Sequence, residues 1–341
     1  MRNDDTAFEV RVKDSPQVSG LSFRRYRGLS DVPAMVAAMN ESLMADLVDL
    51  VIDEDEFRLD IERPVNMNPL TDILIVEGDG RIVGHTTATW RRKLDGVRVY
   101  SHYAHLLPEW RERGVREAMV RWAERRIVAK ARRHPRNLTK RIETYANSAD
   151  NDWKRVLVGE GYTESWHIFE MVRDKLDDVP DMPLPEGIEV RPVRPEHYRK
   201  IWEASKEALM DERSYLEERH NEDAYRKFFS SPMFMPELWQ IAWDGDEVVG
   251  GVHNYINKEE NRALGRNWGH TERIFVRRAW RNRGVAKALI ARSLRVLRQA
   301  GADKATLDVD SENPSGALRL YEAMGYRSEM HFTSYKKELS A

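Results

Sequence analysis

The segment Arg281-Asn282-Arg283-Gly284-Val285-Ala286 joins a strand pattern, Thr271–Val276, to an amphipathic helix pattern running from Gly284 to about Gln299. A loop that feeds a helix N-terminus leaves the first backbone amides unpaired and pointing outward. With the helix dipole, those amides form an anion site suited to a pyrophosphate. Gly284 and Ala286 keep side chains out of the approach, and Arg281 and Arg283 can add charge-assisted contacts. Taken alone, the same loop could be a basic surface turn that caps a helix. A second run follows one strand later, Asn313-Pro314-Ser315-Gly316-Ala317-Leu318-Arg319-Leu320-Tyr321-Glu322-Ala323-Met324-Gly325-Tyr326. It reads as a short helix, Ser315–Met324, closed by Gly325.

The two runs together resemble motifs of the GNAT acetyltransferase superfamily. The first is similar to its Arg/Gln-x-x-Gly-x-Gly/Ala loop after a strand, the second to its Asn-x-x-Ala-x-x-Leu-Tyr-x-x-x-Gly-Phe/Tyr signature. The resemblance covers Ile188 to about Lys337. No Gly-x-Gly-x-x-Gly follows a strand, and there is no Walker loop. The resemblance implies that backbone groups of Ile274, Phe275 and Val276 pair with the pantetheine arm of acetyl-CoA. It implies that the amides of Arg283, Gly284, Val285, Ala286 and Lys287 hold the pyrophosphate, flanked by Arg281 and Asn282. Asn313 and Ser315 would contact the cofactor or brace the loop. Tyr321 would sit by the thioester sulfur, where a phenol with an ordinary pKa of ~10 can protonate the leaving thiolate. Its competing reading is a core tyrosine on an amphipathic helix.

An amine acceptor must also lose a proton. Glu272, on the strand that leads into the loop, is the candidate base, with His270 and His253 as weaker candidates. Glu272 could instead bind the acceptor, relay through water, or form a strand salt bridge. The implied reaction is acetyl transfer from acetyl-CoA to a primary amine by direct attack. The alternative is a non-catalytic acyl-CoA-binding or regulatory protein. The acceptor, a small-molecule amine or a protein amine, is left open, as is a homodimer.

The elements that position these residues recur. The C-terminal half reads as strand Ile188–Val193, helix Glu196–Met210, a further helical stretch Tyr215–Phe229, and strands Leu238–Trp243 and Val248–Asn257 about the turn Asp244-Gly245-Asp246. Strand Thr271–Val276, the basic loop, its helix, strand Lys304–Val309, helix Ser315–Met324 and a last strand near Met330–Lys336 follow. The N-terminal half repeats the order, with strand Leu21–Tyr26, helix Asp31–Val51, strands Asp72–Glu77, Ile82–Trp90 and Val97–His105, a basic loop, helix Gly114–Ala131, strand Ile142–Tyr145 and helix Asp152–Val158. Arg281 lies 170 positions after Arg111, and Gly325 lies 164 after Gly161. So long a repeat means a duplicated domain. The expected fold class is α/β (α+β), with two tandem GNAT-like domains, each a mixed, mostly antiparallel central sheet flanked by helices. This layout is similar to that of tandem members such as mycothiol synthase. Prolines 180, 183 and 185 among acidic residues predict an extended linker at 177–187 between domains 1–176 and 188–341.

The N-terminal copy departs from the pattern at three places. Arg116 stands where Ala286 does, Leu157 where Tyr321 does, and Ala149 where Asn313 does. A long cation would obstruct phosphates or bind them from a new direction, and leucine donates no proton. This half is expected to be non-catalytic.

The bulk composition describes a soluble globular protein with a well-solvated surface. The chain has 341 residues, 41% hydrophobic and 33% charged, with 55 Lys and Arg against 57 Asp and Glu. A net charge of -2 exerts no general pull on nucleic acid or anionic membrane. The basic run Arg111–Arg141 reads as a solvated helix face, with RNA contact ranked low. There are no cysteines, so thiolate nucleophiles and Cys-based zinc sites are excluded. The histidines lack metal-ligand spacing, and no metal is expected. No apolar run has the ~18–20 residues that span a bilayer. The polar start carries no signal core, and a cytoplasmic location is the expectation.

Overall fold

The structure is a computed structural model that describes residues 8–46, 48, 50–93, 96–211, 221–313 and 316–339. Its contacts divide into two compact units, one of residues 1–166 and 332–341, the other of 167–331.

The first unit holds β1 (Leu21–Arg25), α1 (Val32–Ala45), α2 (Glu54–Glu62), α3 (Pro69–Asp72), β2 (Ile73–Gly78), β3 (Arg81–Thr87), β4 (Thr89–Arg92), β5 (Arg98–Ser101), β6 (Ala104–Leu106), α4 (Val115–Ala131), β7 (Lys140–Asn147) and α5 (Asn151–Gly159). The expected long helix Asp31–Val51 ends at Ala45. A new helix begins beyond Asp53, whose side chain accepts from Glu56 N. Asp79 and Gly80 both have positive φ, 50° and 81°, which suits the tight β2–β3 turn. The expected strand Val97–His105 is broken at His102 and Tyr103. Its first part pairs with β4 and β7, its second with β3.

The second unit holds β9 (Ile188–Val190), α6 (Tyr198–Leu209), α7 (Glu222–Phe228), β10 (Gln240–Asp244), β11 (Glu247–Tyr255), α8 (Lys258–Leu264), β12 (Trp268–Val276), α9 (Val285–Gln299), β13 (Lys304–Asp310) and α10 (Ala317–Ala323). α8 has no counterpart in the sequence reading. Residues 215–220 of the expected second helical stretch lie outside the described residues. Val285, Leu289, Leu294 and Leu297 of α9 are almost wholly buried. They form one core with Val249, Val252, Ala305, Leu307 and Val309, as the helix periodicity predicts.

The sheet β1-β2-β3-β6 is antiparallel throughout its registered pairs, and the remaining strands pair in a mixed arrangement. Only β5 with β7 and β12 with β13 run parallel, and the other registered pairs are antiparallel.

The last strand of each unit departs from the expected order. Two long strands, β8 (Thr163–Arg173) and β14 (Arg327–Glu338), straddle the boundaries. Residues 168–173 of β8 pair with β13 in the second unit, and residues 332–338 of β14 pair with β7 in the first. Each unit is thus closed by a strand from the other half of the sequence. The expected last strand, Met330–Lys336, belongs for most of its length to the N-terminal unit. Residues 177–187 do not mark the limit between units. Val179 and Met182 pack on the C-terminal core, Asp178 takes a hydrogen bond from Arg173 (2.6 Å) and Pro180 O one from Arg295 (2.9 Å). Apolar side chains beside the prolines, Val179 and Met182, explain why this segment docks instead of standing free. Among the described residues, no helix is long and apolar enough to cross a membrane.

Candidate functional site

β12 and β13 pair at only three positions, Trp268 with Lys304, Gly269 with Ala305 and His270 with Thr306. From Thr271 onward β12 pairs only with β11, and from Leu307 β13 pairs only with β8. The strands part, and among the described residues one edge of β12 is left without a strand partner. Such an edge can take an extended ligand through main-chain hydrogen bonds. Ile274, Phe275 and Val276 lie on it and line a cavity of about 580 Å³.

The loop forms the next wall. Asn282 and Gly284 adopt left-handed backbones, φ 61° and 86°, which turn the chain sharply into α9. The first helical hydrogen bond runs from Ala288 N to Gly284 O (3.1 Å), so the amides of Gly284 to Lys287 precede the helical ladder. A Cβ built on Gly284 meets nothing within 4 Å, so the approach to these amides is open. Gly284, Val285, Ala286 and Lys287 all line the cavity. Across it stand Asn313 and, on α10, Tyr321, only 7% exposed. Ser315 lies outside the described residues. Arg283 is exposed and does not line the cavity.

The Arg281 guanidinium is engaged by the protein itself. Its Nε donates to Val276 O (2.9 Å), its Nη2 to Ala208 O (3.0 Å), and its Nη1 pairs with Asp211 (2.7 Å). It ties the end of β12 to the end of α6 and so sets the mouth of the cavity. Hydrogen bonds from Arg278 and Arg281 hold the Asp211 carboxyl well below the usual carboxylate range. Ala208, Leu209 and Asp211 also line the cavity. They are far from the motifs in sequence and carry no signal there; in the first unit Arg111 has equivalent partners, Leu106 O, Ser42 and Asp46.

Glu272 is half-buried on β12 beside the parting of the strands, outside the cavity lining. Burial pushes its carboxyl up to about 8, and the charge of Asp308 on β13 adds to the rise. A carboxylate near neutrality is poised to take a proton. His253 is buried against Trp239, ring centroids 4.0 Å apart, and burial holds it neutral, well below its usual pKa. His270 stacks on Tyr255 (4.4 Å) and lies 3.5 Å from Glu260. Neither histidine lines the cavity. Trp202, Trp239 and Trp243 are buried packing residues.

The N-terminal copy keeps the brace and fills the site. Arg111 Nε donates to Leu106 O (3.1 Å), and its Nη atoms pair with Asp46 (2.6 and 2.8 Å) and Ser42 Oγ (2.8 Å). Arg116 is 2% exposed and pairs with Asp150 (2.8 Å) and Asp152 (3.1 Å). Pro16 stands 3.6 Å from where a Cβ on Gly114 would be. Cation and proline occupy the space that the C-terminal loop leaves open. Leu157 is fully buried. Within the basic run, Arg121 pairs with Glu160, and Arg126 and Lys130 pair with Asp72, so much of its charge is matched internally.

Residues 200–326 match the model of the Acetyltransferase (GNAT) family. A mycothiol acetyltransferase of Streptomyces bingchenggensis is 29% identical over 165 residues, 48% of each chain. One from Geodermatophilus obscurus is 24% identical over 313 residues, 90% of this chain and 94% of that one. The match to the first of these relatives spans about half its length. Among solved structures, a GCN5-related N-acetyltransferase from Sphaerobacter thermophilus has a TM-score of 0.69 at 24% identity, covering 94% of this chain and 96% of that one. A tandem GNAT protein from the clavulanic acid biosynthesis pathway has 0.62 at 16% identity, covering 94% and 99%.

Proposed function

We propose that the chain is a tandem GNAT protein similar in layout to mycothiol synthase, and that its C-terminal unit moves an acetyl group from acetyl-CoA to a primary amine by direct attack. The observation that carries this reading is the single cavity in which the parted strand edge, the open helix N-terminus, Asn313 and Tyr321 meet. The β12 edge receives the pantetheine arm, and the amides up to Lys287 receive the pyrophosphate. Arg281 acts as a positioning residue, through Val276 and α6. Glu272 takes the proton that the acceptor ammonium must lose. The freed amine nitrogen bonds to the thioester carbon, the carbon–sulfur bond breaks, and the Tyr321 hydroxyl protonates the departing thiolate. Fixed amides and strand groups supply positioning in place of a covalent enzyme intermediate. The N-terminal unit is non-catalytic, because Arg116 and Pro16 stand in its counterpart site.

Calorimetric titration with acetyl-CoA and free-thiol release over a panel of amines test the proposal, with Tyr321→Phe as control. One acetyl-CoA per chain and amine-dependent thiol release are expected. Binding without transfer to any amine leaves the non-catalytic acyl-CoA-binding reading in place. Absence of binding removes both.

A further inference from the structure

Successive residues of a flat strand point to opposite faces, so Glu272 and Arg273 should be separated by the sheet. They are not. The register between β11 and β12 slips between Gly251 and His253, and Arg273 takes a left-handed backbone, φ 43°. Such a bulge re-aims a side chain, and a positive φ on a long side chain is uncommon and concentrated at functional sites. Arg273 turns onto the face where Glu272 lies opposite His253. Its guanidinium stands over the rings of Phe228 (4.6 Å) and Trp202 (5.4 Å). Phe228 in turn packs on His253 (5.6 Å).

Among the described residues the guanidinium makes no hydrogen bond and its Nη1 is buried, while the Arg273 backbone N–H donates to the Glu272 carboxyl. Other enclosed arginines of this protein are paired. Arg24 holds Asp31 and Glu77, Arg116 holds Asp150, Arg173 holds Asp178, and Arg266 holds Glu260. A guanidinium carries five donors and cannot shed its charge under ordinary conditions. Burying one with nothing to bind is costly unless a ligand completes it. The aromatic plates fix the plane of the fork, which favours a planar, bidentate partner. The Glu272 carboxyl acting on Arg273, with Asp308 acting on Glu272 in turn, disfavours a dianion and favours a monoanion. These groups also leave an acid and a base side by side, matched to a molecule with an ammonium and a carboxylate.

We infer that Arg273 is a specificity-determining residue that binds the carboxylate of an amino-acid-type acceptor and so directs its amine toward Glu272. This rests on the acetyltransferase reading above and narrows its acceptor class.

The test uses the full chain, acetyl-CoA, and a panel of L-amino acids, each matched with its methyl ester and its decarboxylated amine. Thiol release is read for wild type, Arg273→Met and Arg273→Lys. For the accepted side chains, the free acid is expected to exceed its ester by ~10–100-fold in kcat/KM, the worth of a charge-assisted hydrogen-bonded pair. Arg273→Met should collapse that ratio toward one, acting on KM for the acid more than on kcat. Arg273→Lys, which keeps the cation without the fork, should retain part of it. Esters or plain amines used as well as the acids by wild type overturn the inference and leave the transferase reading standing. Equal losses on acid and ester in Arg273→Met reduce Arg273 to a structural role. If no amine of any kind is acetylated, the transferase reading falls and this inference falls with it.

Discussion

Replacing Glu272 by Gln should alter rate and stability together, with opposite dependence on pH. Burial and Asp308 lift the Glu272 carboxyl from an ordinary 4.5 to about 8. Between those values the folded chain holds the proton more tightly than the unfolded chain does. Stability from this group is therefore full below about 4.5 and falls as pH rises toward 8, by up to about 1.4 kcal/mol per pH unit. The whole window sets an upper bound of about 5 kcal/mol. Asp308 shares in the titration, so removing one carboxyl recovers only part of that bound above pH ~8. Catalysis runs the other way, because only the ionised carboxylate accepts a proton. Wild-type kcat/KM should climb about tenfold per pH unit and level off near pH 8. Glu272→Gln should flatten that limb, lower the plateau by about 10²–10⁴-fold, and flatten the pH slope of urea unfolding. The assays are thiol release from about pH 5.5 to 9 and denaturant unfolding at both ends of that range. A variant that keeps the wild-type pH–rate limb and the wild-type unfolding slope refutes the assignment of the base and the physical account of its shift.

Tyr321→Phe should lower kcat by about 10²–10⁴-fold and leave acetyl-CoA affinity near wild type, as read by calorimetry beside turnover. Ala286→Arg installs in the working loop the side chain that fills the other copy; acetyl-CoA binding should be lost while the melting transition persists, and retained binding would contradict the steric argument. Arg116→Met strands Asp150, 2% exposed, without its partner. It should cost about 3–5 kcal/mol in denaturant unfolding without creating a second acetyl-CoA site.

Much of the candidate site was legible in the sequence because the chemistry is local. Strand, loop and helix follow one another without interruption from Thr271 to Gln299. Glycines and small residues at 284 and 286 state where a backbone must be approached, and the second motif repeats the logic at Asn313 and Tyr321. The worn copy was readable for the same reason, since Arg116 and Leu157 fall at matching places in the repeat. The partners of Arg281 were not legible. Asp211 and Ala208 lie about 70 residues away, and a guanidinium in a loop reads the same whether it faces a phosphate or a helix end. Arg273 was hidden because strand alternation places it opposite Glu272, and only the bulge brings it round.

The sequence by itself determined that the chain is duplicated, that each copy is a mixed α/β unit, and which loop leaves its amides outside the helical ladder. Those properties depend on periodicity, turn residues and spacing, all carried by neighbours along the chain. Tertiary structure alone decided which strand closes which unit. Phe332 to Glu338 pair with β7, and Ile168 to Arg173 with β13, although a period-two strand pattern names no partner. It also decided the charge state open to Glu272, since desolvation and the field of Asp308 depend on what the fold packs around a carboxyl and not on its neighbours in the chain.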